Sequence, residues 1–479
     1  MPLSHSIARH TVIQAGAKIA NIALGTISIA LLARQLGVEG YGQYTIIVAF
    51  LQLFGVLGDM GLSLIAIQLM AEHKAQSERY FANILGLRVV TATLCLGSAP
   101  VIALLFPYPP VIHIGIALMA LSLFLSSLIQ LFTTPFQVNV RMDFPALADL
   151  VGRLTLLVGI LAIMRLGGGL YLILGIITLG NALQLGILAL SSRRFLRLHL
   201  AWEWPIWRMI IMRTWPIALS IAFNLVYLRA DTIILSLTAN AQTVGVYGLA
   251  YRVFEVLVTI PMMVMGIVLA QFATAWAESR RCDFERYFAL CFEGMASLAF
   301  PIAVGGWLLA TPITLLIGGS DFAASGPILQ ILMIACTCVW FSTLYGHLIN
   351  VVHAQRTMIA GYAAGAIIGL SGYLIFIPRY GSLGAAWMTV IAELVVLSAT
   401  GLVFSRIAKL GIPWRGIWRP LLASGLMGLA IFPIQGQHLW LTIPLGAFIY
   451  SAVLLSLGGL SRRIIKAFVP SFLTKYLPH

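Results

Sequence analysis

The chain has 479 residues, of which 60% are hydrophobic and only 9% are charged. Its mean hydropathy is +0.99, and this value excludes a soluble globular domain, because no core of this length could enclose so many apolar side chains. The net charge of +14 would suit nucleic-acid binding until the basic residues are placed on a topology. Together these values predict an all-α, polytopic integral membrane protein.

The apolar segments predict about fourteen transmembrane helices in two six-helix lobes followed by two extra helices. At about 20 residues per crossing, the spans are 11–33, 43–69, 81–106, 111–134, 146–165, 170–190, 211–237, 244–270, 287–310, 326–350, 358–377, 383–405, 418–434 and 439–460. The first apolar run lacks a small-residue cleavage site. It is therefore predicted to be a retained helix rather than a signal peptide.

The distribution of Lys and Arg predicts the orientation of these helices. With the N-terminus inside, the inner segments carry twenty basic residues, whereas the outer loops carry only Arg34, Arg165 and Arg379. This bias predicts that both termini are cytoplasmic. The positive charge thus reports topology and an affinity for anionic lipid head groups, and no nucleic-acid partner is expected.

Two helix–turn–helix segments indicate an internal repeat. The segments are residues 31–56 (LLARQLGVEGYGQYTIIVAFLQLFGV) and residues 235–260 (LSLTANAQTVGVYGLAYRVFEVLVTI). Within them an offset of 203 places the GQY of 42–44 on the GVY of 245–247 and Leu32 on Leu235. A fixed offset between two hairpins is typical of a repeated transporter unit. The glycines of these motifs are expected to permit tight turns and close helix approach: Gly37, Gly40, Gly42 and Gly245.

The longest polar connection predicts the domain boundary. Residues 191–210 hold four arginines and three tryptophans, which is typical of an amphipathic segment at the membrane surface. We expect an N-lobe of helices 1–6, a cytoplasmic interfacial linker, a C-lobe of helices 7–12, and helices 13–14 with a basic cytoplasmic tail, at residues 1–195, 196–210, 211–405 and 406–479. Because each lobe has six helices, the lobes should be related by a pseudo-two-fold axis along the membrane normal.

Three motifs resemble those of the polysaccharide transporter (Wzx-type) oligosaccharide flippase branch of the MOP (MATE-like) superfamily: residues 31–44, 244–255 (VGVYGLAYRVFE) and 379–393 (RYGSLGAAWMTVIAE). The resemblance covers essentially the whole chain. It implies alternating access around a cavity lined by helices 1, 2, 7 and 8. It also implies movement of undecaprenyl-diphosphate-linked repeat units to the outer leaflet of the bacterial inner membrane, for O-antigen, capsule or exopolysaccharide assembly.

The expected partners are accordingly the lipid-linked glycan and membrane lipids, with a glycan polymerase and chain-length machinery as further candidates. Neither a catalytic activity nor a cofactor nor a metal site is expected, because the sequence contains no Walker motif, zinc spacing or nucleophile–base signature. Two alternatives remain open. One is a cation-coupled multidrug or small-molecule exporter of the same superfamily, and the other is a membrane glycan polymerase or ligase, which would need a larger outer loop.

A lipid-linked sugar diphosphate cannot cross hydrocarbon alone, because its hydroxyls and phosphates would lose their hydration. Ionisable residues inside spans are therefore the default candidates for function. Our hypothesis is that Arg252, with Arg229 or Lys18, meets the diphosphate. The candidates for pairing or for carrying a coupling proton are Asp231, Glu255 and Asp59. The alternative is that the charges of helices 7 and 8 form a structural ion-pair set.

Five further charged residues lie within about two turns of a cytoplasmic helix end and are expected to snorkel to the surface: Arg88, Asp149, Arg153, Arg213 and Glu293. Glu393 lies deeper, but the resemblance places its helix outside the cavity lining.

Overall fold

The computed structural model describes the backbone of residues 2–59, 61–139, 141–436 and 438–458, without the side chains of 2–20, 22, 216–228, 356 and 415. No strand occurs among these residues, which confirms the predicted all-α fold. The helices are α1 Pro2–Asp59, α2 Leu62–Glu72, α3 Ser77–Ala103, α4 Pro110–Val138, α5 Asp143–Leu166, α6 Leu170–Ser192, α7 Trp204–Thr238, α8 Ala241–Ala277, α9 Arg281–Leu308, α10 Ala310–Gly318, α11 Ser325–Val351, α12 Gln355–Ala408, α13 Arg415–Ile431 and α14 Leu439–Ser456.

Eleven helical segments of the described chain are long and apolar enough to cross a membrane. Two of them, Ala23–Glu72 and Thr357–Ala408, have 50 and 52 residues, which is more than twice the length of one crossing. Each contains two helices that meet at a glycine with positive φ, Gly37 (64°) and Gly381 (58°). Glycine adopts this conformation without the strain of a Cβ. With the 35-residue α7, the segments agree with about fourteen spans.

The second predicted span is broken, which the hydropathy pattern did not show. A continuous helix was expected over 43–69, but α1 ends at Asp59 and α2 begins at Leu62. Gly61 has a φ of 76°, in the left-handed region that residues with a Cβ avoid. The break is therefore built on a glycine and lies inside an apolar segment.

The chain forms two compact units by its internal contacts. Unit 1 is Met1–Gly245 and unit 2 is Val246–His479. Helix α7 and the first turn of α8 belong to unit 1, where α7 packs on α1, α2 and α3. The lobes predicted from the repeat are defined by sequence correspondence rather than by contacts, and they remain a prediction.

Unit 1 has a buried apolar cluster where α2, α3, α4 and α6 meet the start of α7. The connection between α6 and α7 contributes to it, because Leu196 and Ile210 are both buried there. Trp202 and Trp204 of the same segment are exposed. One side of the predicted interfacial segment therefore anchors α7 to the rest of unit 1.

Unit 2 has two clusters. Aromatic rings of α9, α11 and α12 pack together, with Phe288 in contact with Phe404 and Phe292 in contact with Phe341. Helices α13 and α14, which the sequence predicts as additions without a counterpart in the first half, pack on each other and on α9. Part of their apolar surface is therefore buried against unit 2 and does not face lipid.

Candidate functional site

The break between α1 and α2 holds an ion pair between a buried arginine and a carboxylate that is 22% exposed. Arg88 of α3 is 1% exposed, and its Nη1 donates to the carboxylate of Asp59. Its Nε and Nη2 donate to the carbonyl oxygen of Ser127 at 3.3 and 3.1 Å, and Thr91 Oγ1 donates to the Gly58 carbonyl at 2.9 Å. These bonds satisfy polar groups at the end of α1. The expectation that Arg88 snorkels is therefore wrong, because its side chain lies inside the helix bundle.

A second polar cluster joins α1 to α5 in unit 1. Asn21 Nδ2 donates to Asp149 Oδ2 at 2.5 Å, and Arg153 Nε donates to the same oxygen at 3.3 Å. The Arg153 guanidinium lies over Gly25, where a Cβ would be 2.7 Å from its Nη1. Asn21 is buried and its Oδ1 has no partner in the described chain. Sequence reasoning did not single out Asn21, because a lone amide in an apolar run carries no motif.

The predicted charges of helices 7 and 8 fall into different environments. Arg252 and Glu255 form an ion pair along α8, Nη1 to Oε2 at 2.8 Å, with 49% and 23% of their side chains exposed. Asp231 of α7 is buried, and its Oδ1 accepts bonds from the N–H and hydroxyl of Thr232. Arg229 is partly buried on the same helix. The side chain of Lys18 lies outside the described residues, so the assignment of all these residues to a diphosphate site stays a prediction.

Unit 2 contains an apolar cavity of about 830 Å³ that no sequence motif predicted. It is walled by α8, α9, α10, α13 and α14, and nearly all of its lining is hydrocarbon. Ser297 Oγ is buried in this wall without a partner in the described chain, and the hydroxyl of Tyr450 donates to the Ser297 carbonyl at 2.7 Å. The lining residues are Leu257, Val264, Gly294, Ser297, Leu298, Pro301, Ile302, Gly305, Gly306, Leu309, Ile313, Met427, Ile431, Thr442, Ile443, Gly446, Ala447, Tyr450, Ser451 and Leu454.

The repeated glycines form a helix crossing within unit 1. A Cβ added to Gly42 would overlap the carbonyl oxygen of Ala241, and a Cβ added to Gly245 would overlap that of Val38. The two helices thus touch backbone to backbone at equivalent positions of the two repeats. This confirms the predicted role of Gly42 and Gly245 in close helix approach.

A polar clamp fixes the start of α7 to α3. Glu203 accepts from Arg79 Nε at 2.9 and 3.1 Å and from Asn83 Nδ2 at 3.0 Å, and its N–H donates to Asn83 Oδ1 at 2.9 Å. The hydrogen bonds from Arg79 and then Asn83 lower the pKa of Glu203 to about 2. The carboxylate is therefore charged at any physiological pH, and it holds the connection between α6 and α7 in place.

Many apolar spans, a repeated hairpin, ion pairs inside the spans and an apolar cavity define a multi-pass membrane protein. The chain belongs to the polysaccharide biosynthesis protein family, whose sequence model matches residues 31–327, more than half of the chain. No curated protein matched the sequence.

Solved structures show the same fold. The lipid II flippase MurJ in an inward closed conformation is 15% identical, with 92% of this chain and 98% of that chain covered and a TM-score of 0.77. An inward-facing multidrug resistance MATE family transporter of the MOP superfamily is 11% identical, with 82% and 96% covered and a TM-score of 0.66. A mutant of the Vibrio cholerae MATE transporter VcmN is 12% identical, with 85% and 98% covered and a TM-score of 0.56. The predicted MOP superfamily fold is thereby confirmed.

Proposed function

We propose that this protein moves undecaprenyl-diphosphate-linked oligosaccharide units from the cytoplasmic to the outer leaflet of a bacterial inner membrane, for surface polysaccharide assembly, with both termini cytoplasmic. It acts as a transporter and breaks no covalent bond of its cargo. The family membership supports a role in polysaccharide synthesis. The observation that carries the proposal is the apolar cavity of unit 2.

The cavity suits a hydrocarbon chain and not a sugar. Its lining offers few hydrogen-bonding groups, and a sugar placed there would lose the hydration of its hydroxyls without compensation. A prenyl chain loses nothing comparable, because lipid tails and the cavity wall are equally apolar. The cavity would therefore position the chain of a lipid-linked cargo, while the polar head stays in a hydrated path.

The proposed contact for the diphosphate is Arg252. It lies five residues before the lining residue Leu257 on α8, about 7.5 Å along the helix axis, and half of its side chain is exposed. A guanidinium binds phosphate oxygens in a bidentate manner. Arg229 or Lys18 is proposed as the second cation, with Glu255 or Asp231 as the pairing or proton-carrying acid. Asp59 is better assigned to pairing, because Arg88 holds it at the helix break.

The test is transport of a purified lipid-linked oligosaccharide in proteoliposomes, read by accessibility to an external glycosidase and by mass. We expect movement between leaflets with an unchanged mass. Ala447→Trp, which fills the cavity, should slow movement, whereas Leu445→Trp, at a position of the same helix that does not line the cavity, should not. A change in glycan length would support a polymerase or ligase instead. Equal rates for the two tryptophan variants would remove the cavity from the mechanism.

The role of Arg252 is tested by comparing Arg252→Lys, Arg252→Ala and the double variant Arg252→Ala/Glu255→Ala. A diphosphate contact predicts loss of transport in the alanine variant at normal abundance, with partial retention in the lysine variant. Recovery of abundance and transport in the double variant would show that Arg252 only pairs with Glu255.

A second candidate function is cation-coupled export of small molecules, which the similarity to the MATE fold favours. In that case an ion gradient should drive efflux of a lipophilic cation from the same proteoliposomes. The lipid-linked oligosaccharide should then stay in its leaflet in both wild type and Ala447→Trp.

A further inference from the structure

The apolar cavity of unit 2 ends at a charged group on the side that the sequence predicts to be cytoplasmic. At that end the wall is formed by Gly294 of α9 and Leu454 of α14. One turn beyond Leu454, the carbonyl oxygen of Gly458 accepts a hydrogen bond from Arg419 Nη1 at 2.8 Å. Arg419 lies two turns before the lining residue Met427 on α13. Its guanidinium therefore lies just beyond the apolar wall.

The Arg419 Cζ lies 5.5 Å from the centroid of the Trp418 ring, and the described residues use only part of this guanidinium's hydrogen-bonding capacity. Its Nε is buried and has no hydrogen-bond partner within the described residues. Glu293 lies next to Gly294 on α9, and within the described residues it forms no ion pair with Arg419. Gly416 brings α13 close to α9 here, since a Cβ on it would lie 3.1 Å from Glu293 Cβ. The site thus combines a partly buried guanidinium, incompletely paired within the described residues, with an adjoining hydrocarbon cavity.

We propose that Arg419 binds the diphosphate of a single-chain prenyl lipid whose chain occupies the cavity, as a loading position separate from Arg252. The inference rests on the proposed function. Phosphate oxygens accept hydrogen bonds, and a guanidinium presents several donors in one plane to them. A prenyl diphosphate joins one chain directly to a charged head, and so matches one cavity with a cation at its end.

Glu293 has a defined part in this arrangement. Its charge opposes a phosphate at Arg419, so it keeps the site weak enough to release its occupant. If Glu293 has this role, removing its charge should tighten lipid binding. If Glu293 were instead a structural partner that positions Arg419, removing its charge should weaken lipid binding. The two roles predict opposite effects of Glu293→Gln.

The experiment measures binding of undecaprenyl diphosphate, undecaprenol and phosphatidylglycerol to the full-length protein in detergent by native mass spectrometry. Arg419→Gln should weaken undecaprenyl diphosphate about 10- to 100-fold, the effect of one or two charge-assisted hydrogen bonds, and leave undecaprenol unchanged. The undecaprenol arm also shows that the variant is folded. The control is Arg406→Gln, at an exposed arginine near the predicted cytoplasmic end of α12, which should not change the affinity for either lipid. Glu293→Gln should raise the affinity for undecaprenyl diphosphate.

The proposal is overturned if Arg419→Gln and Arg406→Gln bind undecaprenyl diphosphate alike. It is also overturned if phosphatidylglycerol binds as tightly and with the same dependence on Arg419, because the site would then recognise any anionic lipid. These outcomes are separate from the transport assay. If the protein transports the lipid-linked oligosaccharide but its lipid binding does not depend on Arg419, the proposed function stands and the loading site is refuted. If binding depends on Arg419 but no transport occurs, the loading site stands and the proposed function is refuted.

Discussion

The crossing of the two repeated hairpins predicts that one methyl group will destabilise the protein at Gly42 and stabilise it elsewhere. In a helix interior, Gly→Ala normally stabilises by about 0.5–1 kcal/mol, because the alanine backbone loses less entropy on folding. Gly175, inside α6, has nothing within 4 Å of an added Cβ, and so Gly175→Ala should show this gain. It is the matched control for Gly42→Ala.

At Gly42 the same gain is opposed by a backbone collision. The added Cβ would lie 2.6 Å from the carbonyl carbon of Ala241 and 3.0 Å from Gly245 N, whereas ordinary contact begins at 3.4 Å. The first turn of α8 would have to retreat by at least 0.8 Å (3.4 less 2.6) to relieve the contact with the carbonyl carbon, and further to clear the carbonyl oxygen, which lies closer still. Overpacking of this kind costs about 1–3 kcal/mol, and this is the expected difference in stability between the two variants.

The assay is thermal unfolding in detergent, followed by a thiol-reactive fluorophore that reports exposure of the buried cysteines Cys291, Cys336 and Cys338. Gly42→Ala should unfold at a lower temperature than wild type, and Gly175→Ala at the same or a higher one. Gly245→Ala should repeat the effect of Gly42→Ala, and the double variant should lose less than the sum, because the first methyl already separates the helices. Equal stability of Gly42→Ala and Gly175→Ala would refute the backbone contact.

Three more predictions concern charged and thiol groups. Arg88→Gln should destabilise the protein by about 3–5 kcal/mol, because it leaves Asp59 without its buried partner. Arg141→Gln, in an exposed pair with Asp143, should cost no more than about 1 kcal/mol. Equal losses of stability for the two variants in urea or thermal unfolding would contradict the pairing of Arg88 with Asp59. The pKa of Glu203 falls from 4.5 to about 2 on folding, so the stabilisation from this carboxylate should be complete above pH 4.5 and should decline as the pH falls toward 2. The difference in melting temperature between wild type and Glu203→Gln should therefore be constant from pH 8 to 5 and shrink only below pH 5. An impermeant thiol reagent applied to intact spheroplasts should label Asp321→Cys and spare Cys282, both exposed, in an otherwise cysteine-free background; the reverse pattern would invert the proposed orientation.

The fold was accessible from the sequence because membrane spans follow from hydropathy and length alone. A tight turn at Gly37 and close helix approach at Gly42 were also accessible, since both glycines lie in the polar turn of the first hairpin and the repeat aligns Gly42 with Gly245. The break at Gly61 was not, because one glycine in a long apolar run changes hydropathy very little. Hydropathy measures the average character of a segment, and a break depends on the φ of one residue.

The error at Arg88 has a specific cause. Distance from the helix end was taken to decide its environment, although a partner can hold a charge at any depth. A signal was present, because Asp59 lies 13 residues before the end of α2 at Glu72 and Arg88 lies 11 residues after the start of α3 at Ser77. Residues at similar distances from a turn lie at a similar level of an antiparallel helix pair. The apolar cavity had no comparable signal, since its lining comes from five helices that are far apart in sequence. Which apolar side chains face a cavity rather than lipid depends on how those helices pack.

The pairing of Asp59 with Arg88 also bears on how the chain enters the membrane during synthesis. An arginine at the centre of a single helix costs about 2.5–3.5 kcal/mol on insertion through the translocon, and Arg88 lies near the middle of α3. The acid is synthesised first, so it is already in place when the arginine emerges from the ribosome. We expect residues 38–72, which hold Asp59 and α2, to leave the translocon together with α3 as a hairpin. A chain that lacks Asp59 should stall or misorient at its third span even though that span itself is unaltered.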